Sequence, residues 1–399
     1  MSKEEALLLL LISVGAFIMP FIARKFHVPT AVSELLYGMF VGSFLHFEPH
    51  AMGIINFLAE LGFIVLMYMA GLELDAEDLQ KTSNKTLLIF ISHFFVIVLF
   101  SVVFVNVFSL PPYFNLFIVI TSIGLLFPIL SELDMMETKL GKELLILGSI
   151  GEVFSLLALT AFTVVYNYGI SYGGLLHIFK LMAFCVVAFF TLKLLQLFTW
   201  WFPSKLSFMA KTGVSSETGL RGNFLNMLVF VALAAFLNIE VIIGAFIGGM
   251  LFAAVFKERE KIQEGFEMIG HGFLIPIFFI YVGLNFETSL LMDFTVVKYA
   301  LLLCLFIIMT RMLAGFVFLF GEHPLNNILI FPFSTSFSLT LLIAAAKLGE
   351  SLGVFSKDIS GGVVLASIIS ALIFPLFFRI IIKKTGCVAR QGDREIVRW

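Results

Sequence analysis

Long apolar runs, separated by short polar segments, repeat along almost the whole chain. Many of these runs reach about 20 residues, the length that a helix needs to cross a bilayer. Thirteen candidate spans follow from the pattern, at residues 5–24, 29–46, 53–73, 86–108, 113–131, 142–166, 174–200, 221–238, 239–256, 266–284, 294–320, 325–347 and 362–382. The pattern therefore predicts an all-α membrane protein with thirteen transmembrane helices.

The composition supports the same class. The 399 residues are 60% hydrophobic and 13% charged, with a mean hydropathy of +1.07, which is far too apolar for a soluble domain of this length. The three cysteines, Cys185, Cys304 and Cys387, lack the spacing of a metal site or a disulfide framework. We interpret the first apolar run as a retained helix and not as a signal peptide.

Basic residues lie mainly on one side of the predicted spans. The opposite side carries only Lys3, Lys298, Lys347 and Lys357, whereas Lys180, Lys193 and Arg311 lie inside spans. Because Lys and Arg are enriched in cytoplasmic loops, this asymmetry predicts an external N-terminus and a cytoplasmic C-terminus in the cell (inner) membrane.

Short sequence matches relate the two halves of the chain at an offset of roughly 210 residues. The matched pairs are Gly38-Met39 with Gly248-Gly249, Gly62-Phe63 with Gly272-Phe273, and Gly71-Leu72-Glu73-Leu74-Asp75 with Gly283-Leu284-Asn285-Phe286-Glu287. With the seventh span as a linker, the two sets of six spans have opposite orientation, as in many secondary transporters. The predicted organisation is a first inverted repeat at 1–166, a linker helix and loop at 167–220, a second repeat at 221–384 and a cytoplasmic tail at 385–399.

Two spans carry helix-breaking and hydroxyl residues at equivalent positions. The fifth contains Thr121, Ser122, Gly124 and Pro128, and the twelfth contains Pro332 followed by Ser334, Thr335, Ser336 and Ser338. Gly and Pro weaken a transmembrane helix, and hydroxyls can bond the backbone groups that are freed. The residues predict two discontinuous helices that cross near the bilayer midplane, where inverted-repeat transporters bind their substrates. The alternative is that these hydroxyls only pack helices together.

Glu152 is a carboxylate near the middle of the sixth span. It lies about 10 residues, or roughly 15 Å, from the cytoplasmic start of that span. A charge at that depth is costly and by default indicates a functional site. Ser155, one turn later, is a candidate for lining the same site.

Arg311 lies at a similar depth in the eleventh span. Because a guanidinium stays charged, it cannot cycle a proton, and we assign it a charge-balancing role. A structural ion pair between Glu152 and Arg311 is the alternative for both residues.

The sequence contains no phosphate-binding glycine loop, no nucleophile with a neighbouring base and no zinc-protease motif. We therefore expect no enzymatic activity, no cofactor, no nucleic-acid partner and no metal beyond a transported cation.

Four segments resemble the second cation–proton antiporter family, which includes bacterial sodium–proton antiporters and glutathione-gated potassium efflux systems. The segments cover residues 28–38, 60–75, 243–249 and 276–283, and the resemblance extends over nearly the whole chain. It implies a thirteen-helix fold, a homodimer and elevator-like alternating access. The chain departs from the family in two places. Gly151 stands where relatives usually carry a first polar residue or Asp, and Pro332 is followed by Phe-Ser-Thr-Ser in place of Arg-Gly-Glu.

These observations predict a secondary antiporter that exchanges Na⁺ or K⁺ for H⁺. Glu152, with Thr121, Ser122 and Ser155, would bind the cation and the proton in turn, and with one titratable group the exchange would be electroneutral. Two alternatives remain open, a carrier of another solute on the same fold and a non-transporting membrane sensor with a locked Glu152–Arg311 pair.

Overall fold

The computed structural model describes residues 3–26, 28–45, 49–73, 82–136, 138–169, 171–201, 216–255, 260–321 and 328–385. These residues form helices joined by turns and short connections, and no strand occurs within them. The predicted tail after Thr385 and most of the loop between the linker helix and the second repeat lie outside the described residues.

The α-helices are numbered in chain order. They are α1 (Lys3–Phe26), α2 (Thr30–Phe44), α3 (Pro49–Leu72), α4 (Asn84–Val107), α5 (Phe114–Val119), α6 (Leu126–Glu132), α7 (Lys139–Tyr168), α8 (Tyr172–Trp201), α9 (Ser216–Phe236), α10 (Val241–Val255), α11 (Glu260–Ile269), α12 (Ile275–Leu284), α13 (Phe294–Ala314), α14 (Ile330–Ser334), α15 (Leu339–Ser351) and α16 (Lys357–Thr385). A π-helical turn (Gly270–Leu274) joins α11 to α12, and a 3₁₀ segment (Gly315–Phe320) extends α13.

Nine helical segments in the described part of the chain are long and apolar enough to cross a membrane, so the protein is a multi-pass membrane protein. Each of the nine coincides with one predicted span. The other four predicted spans have a different form: α2 and α10 are 15 residues long, and the fifth and twelfth spans are each divided into two shorter helices. The total of thirteen stays a prediction.

The chain forms two compact units, which are described separately. The first contains Met1–Glu77 and Thr163–Ser289, and the second contains Asp78–Phe162 and Leu290–Trp399. Each unit therefore takes helices from both of the predicted repeats.

In the first unit, α1, α3 and α12 share an apolar core, formed by Leu8, Ile12, Ile55, Ala59, Ile277 and Ile280. Glycines allow two further helix pairs to approach closely. A Cβ atom on Gly38 of α2 would lie 2.1 Å from the Ile280 carbonyl oxygen of α12, and one on Gly249 of α10 would lie 2.1 Å from the Tyr68 carbonyl oxygen of α3. Any larger residue would force these backbones apart.

In the second unit, α13 packs against α4 and α16, and α15 also packs against α16. This framework holds the two divided spans. The first consists of α5 and α6 separated by residues 120–125, and the second consists of α14 and α15 separated by residues 335–338. Pro332 lies inside the short helix α14. The divided helices expose backbone groups inside the unit, where they need partners other than water.

Candidate functional site

The carboxylate of Glu152 points from α7 toward the first break. The side chain is fully buried, and Oε2 accepts a hydrogen bond from the Ile123 backbone N–H at 2.7 Å. The Ser122 side chain also lies beside the carboxylate. The second oxygen, Oε1, is buried and has no hydrogen-bond partner among the described residues. A buried carboxylate oxygen without a partner is costly, so the site favours a bound cation or proton.

Ser155 holds the first break against α7. Its hydroxyl accepts a hydrogen bond from the Thr121 backbone N–H at 2.7 Å and donates one to the Gly151 carbonyl oxygen at 2.7 Å. The Thr121 N–H has lost its helical acceptor because α5 ends two residues earlier. Ser155 therefore contacts the first break through a backbone N–H and not through the carboxylate.

Gly151 allows the break to approach α7. A Cβ atom at this position would lie 2.7 Å from Cζ of Phe94 and 2.9 Å from Cγ2 of Thr121. The Phe94 ring is itself confined, because it stacks on Phe154 with ring centroids 5.4 Å apart. The place where relatives usually carry a first polar side chain is therefore filled by Phe94 and Thr121 in this chain.

Arg311 is fully buried on α13 and reaches both breaks. Nε donates to the Thr335 carbonyl oxygen at 2.8 Å, Nη1 to that of Ile118 at 2.7 Å, and Nη2 to that of Ile120 at 2.6 Å. These oxygens lie at or near the carboxyl ends of α5 and α14, where helical carbonyls lack intrahelical partners. The guanidinium balances these partial negative charges.

Two weaker contacts complete the Arg311 environment. Nη1 also donates to the Ile307 carbonyl oxygen at 3.1 Å, and Nη2 lies 3.3 Å from Oγ1 of Thr121. No ion pair within 4.0 Å joins Arg311 to Glu152, and both residues belong to the described part of the chain. The locked pair that the sensor alternative requires is therefore absent from this structure.

The hydroxyls of the second break bond mainly to their own short helix. Ser334 donates to the Phe331 carbonyl oxygen at 2.7 Å, and Ser336 donates to that of Pro332 at 2.6 Å. Thr335 also donates to the Pro332 carbonyl oxygen, at 3.1 Å. All three residues are buried at the crossing, but their contacts stabilise α14 and not the carboxylate.

Two hydroxyls that follow these residues join the breaks directly. Ser338 donates to the Ile120 carbonyl oxygen at 2.9 Å, and Thr340 Oγ1 lies 2.6 Å from Ser122 Oγ. The sequence pattern places Ser338 in the twelfth span without assigning it to the site, and it does not single out Thr340. The signal was the alternation of hydroxyl residues at positions 334, 336, 338 and 340, which extends past the break into α15.

Two divided helices that meet at a buried carboxylate, in a multi-pass helical protein, define the architecture of a secondary transporter. A family model described as sodium/hydrogen exchanger, transmembrane, matches residues 12–384. The chain belongs to this family, which confirms the resemblance to cation–proton antiporters.

Individual proteins agree with the family match. The chain is 28% identical over 405 residues to the putative Na⁺/H⁺ antiporter YjbQ of Bacillus subtilis (strain 168), covering 96% of this chain and 64% of YjbQ. It thus spans less than two thirds of that relative's length. It is 24% identical over 382 residues to the Na⁺/H⁺ antiporter of Enterococcus hirae, covering 94% of this chain and 98% of that protein.

A solved structure shares the fold. The sodium proton antiporter MjNhaP1 from Methanocaldococcus jannaschii, determined at pH 8, superposes with a TM-score of 0.68 at 16% identity, and the match covers 96% of this chain and 97% of that one. At this identity the similarity establishes the fold alone.

Proposed function

We propose that the protein is a secondary antiporter that exchanges a monovalent cation, Na⁺ or K⁺, for H⁺, with Glu152 as the group that binds each in turn. The observation that carries this proposal is the buried, unpartnered Oε1 of Glu152 at the crossing of the two breaks. The names of the antiporter relatives and the family match point to the same activity.

The mechanism requires only competition for one carboxylate. An ionised, empty Glu152 is unfavourable in a fully buried site, so the carboxylate holds either a proton or a cation. Each neutral form stabilises conformations that the empty, charged form does not, and ion binding therefore shifts the equilibrium between inward-open and outward-open states. Thr121, Ser122 and Ser155 shape the site around the carboxylate.

Arg311 acts as a fixed charge in this proposal. Its donors are directed at backbone carbonyl oxygens of both breaks, and its charge does not change during the cycle. Glu152 is then the titrating group of the crossing, and one cation is exchanged for one proton without net charge movement.

We also propose the thirteen-span inverted repeat, with the residue limits given above. The glycine contacts support it: the repeat equates Gly71 with Gly283 and Gly38-Met39 with Gly248-Gly249, and these matched segments supply both close helix pairs. Gly283 lies against the α2 backbone beside Gly38, and Gly71 lies against the α10 backbone beside Gly249. A homodimer, elevator-like movement, an external N-terminus and a cytoplasmic C-terminus complete this proposal.

A carrier of another solute on the same fold is the second candidate. The observation that favours it is the packing at Gly151, since Phe94 fills the place of the first polar residue that cation–proton antiporters usually carry. The site would then hold fewer ligands for a small cation.

Ion-gradient-driven proton flux in proteoliposomes tests the proposal. Na⁺ or K⁺ added to vesicles with a trapped pH indicator should dissipate a pH gradient when the vesicles contain wild-type protein. The variant Glu350→Gln should behave like wild type, because Glu350 is an exposed carboxylate on the same unit. Glu152→Gln should abolish the flux. Full activity of Glu152→Gln would contradict the assigned role, and an inactive wild type across Na⁺ and K⁺ would favour the second candidate.

A further inference from the structure

Thr340 lies at the same crossing as Glu152 but has no role in the mechanism described so far. It is the second residue of α15, its side chain is buried, and its Oγ1 lies 2.6 Å from the hydroxyl of Ser122. Ile123, the next residue after Ser122, donates its N–H to Glu152 Oε2 at 2.7 Å. Thr340 therefore contacts Ser122, and Glu152 contacts the next residue, Ile123. The Cα atoms of these two residues are only about 3.8 Å apart, so both side chains act on the same point of the first break.

The chemistry of the carboxylate sets the direction of the hydroxyl pair. An ionised carboxylate only accepts hydrogen bonds, and each hydroxyl has one proton to donate. Ser122 lies beside Glu152, and in the arrangement in which it donates its proton to the ionised carboxylate, Ser122 accepts from Thr340. Thr340 Oγ1 then keeps two lone pairs that no described group occupies.

Gly124 leaves space next to this hydroxyl pair. The nearest atoms to a Cβ built on Gly124 would be Ser122 Oγ at 3.7 Å and the Cγ2 and Oγ1 atoms of Thr340, both at 3.8 Å. Gly124 is partly exposed, whereas Ser122 and Thr340 are buried. The pair therefore adjoins a position that is accessible from outside the packed interior.

We propose that Thr340 is a further cation-binding residue that determines specificity, and that its hydroxyl oxygen joins Ser122 and the unpartnered oxygen of Glu152 in coordinating a small monovalent cation. Neutral hydroxyl and carboxylate oxygens are the ligands that hard cations prefer. The proposal rests on the antiporter function proposed above and extends it, because Thr340 would act on cation binding and not on proton binding.

The test compares Thr340→Val, which removes the hydroxyl at similar volume, with Thr340→Ser, which keeps it. In proteoliposomes at fixed pH, Thr340→Val should raise the KM for Na⁺ about tenfold, the change expected for losing one ligand to a charged group, while the maximal rate stays within about twofold. Thr340→Ser should restore the KM to near wild type. Li⁺ and K⁺ measured in parallel should show a changed order of KM values in Thr340→Val.

Ser338→Ala provides the matched control, because Ser338 joins the same two breaks through the Ile120 carbonyl oxygen. If Thr340 only holds the breaks together, Thr340→Val and Ser338→Ala should both slow transport without changing the KM for Na⁺. That result, or an Na⁺ KM in Thr340→Val within twofold of wild type, would overturn the proposal.

Two further measurements keep the outcome decisive. If Thr340→Val does not fold, Thr340→Ala takes its place. Binding is then measured as the increase in Tm that Na⁺ produces in detergent. An increase in Thr340→Ala equal to that of wild type would overturn the proposal. Glu152→Gln in the same vesicles distinguishes failure of the antiporter mechanism from failure of the role of Thr340. Retained exchange in Glu152→Gln refutes the antiporter mechanism itself, whereas an inactive Glu152→Gln with an unchanged KM in Thr340→Val refutes only the role of Thr340.

Discussion

Nη2 of Arg311 donates to the carbonyl oxygen of Ile120, 2.6 Å away, and this contact ties the buried cation to the first break. The same carbonyl oxygen accepts a second hydrogen bond from Ser338 in the other break, at 2.9 Å. The only cationic side chain described at the crossing is thus used to satisfy the open ends of two helices, and Glu152 is left with one oxygen for a transported ion.

Arg311→Lys should destabilise the protein although it keeps the charge. Lysine has one ammonium group and cannot reach all three backbone carbonyl oxygens at the ends of α5 and α14, so at least one is left unsatisfied, at a cost of about 1–3 kcal/mol each. Thermal unfolding in detergent measures the loss. Arg379→Lys is the control, because the Arg379–Glu132 pair is partly exposed and worth less than about 1 kcal/mol. Equal Tm values for Arg311→Lys and wild type would contradict the bridging role.

Gly151→Ala should destabilise the protein by about 1–3 kcal/mol, because the added methyl group overlaps Phe94 and Thr121. Phe94→Leu combined with Gly151→Ala should recover part of the loss, and a double-mutant cycle of unfolding measures this coupling. Gly53→Ala is the control, because a Cβ there meets nothing within 4 Å and alanine favours the helix. Additive effects of Gly151→Ala and Phe94→Leu would show that the two residues do not compete for the same space.

Ser155→Ala should lower both stability and exchange. It leaves the buried Thr121 N–H without an acceptor, which costs about 1–3 kcal/mol, and it loosens the break that carries Ser122 and Ile123. Thr160→Val, five residues further along α7, removes only a hydroxyl that bonds back to the Leu156 carbonyl oxygen, and should have little effect on either property. If Ser155→Ala and Thr160→Val lower the Tm and the exchange rate equally, the contact between Ser155 and the Thr121 N–H is not the cause.

The sequence indicated the features that depend on local chemistry. Gly124, Pro128 and Pro332 marked the two breaks, because Gly and Pro act on their own turn of helix. The depth of Glu152 and Arg311 followed from counting residues along apolar spans. These predictions needed no knowledge of how the helices pack.

Contacts between distant residues could not be read in the same way. The partners of Arg311 at Ile118 and Ile120 lie 193 and 191 positions away, and Thr340 lies 218 positions from Ser122. Equal depth suggested Glu152 as the partner of Arg311, but depth does not specify the direction of a side chain. The packing of Phe94 against Gly151 likewise depends on how closely α4 and α7 approach.

Proton release on cation binding is the most direct test of the central claim that one carboxylate holds either ion. Titration of purified protein with Na⁺ by calorimetry, in buffers of different ionisation enthalpy, gives the number of protons released per Na⁺ bound. At a pH where Glu152 is protonated, the account predicts one proton released per Na⁺ for wild type and for Glu350→Gln, and neither Na⁺ binding nor proton release for Glu152→Gln. Binding of Na⁺ by wild type without proton release, or unchanged release in Glu152→Gln, would contradict it.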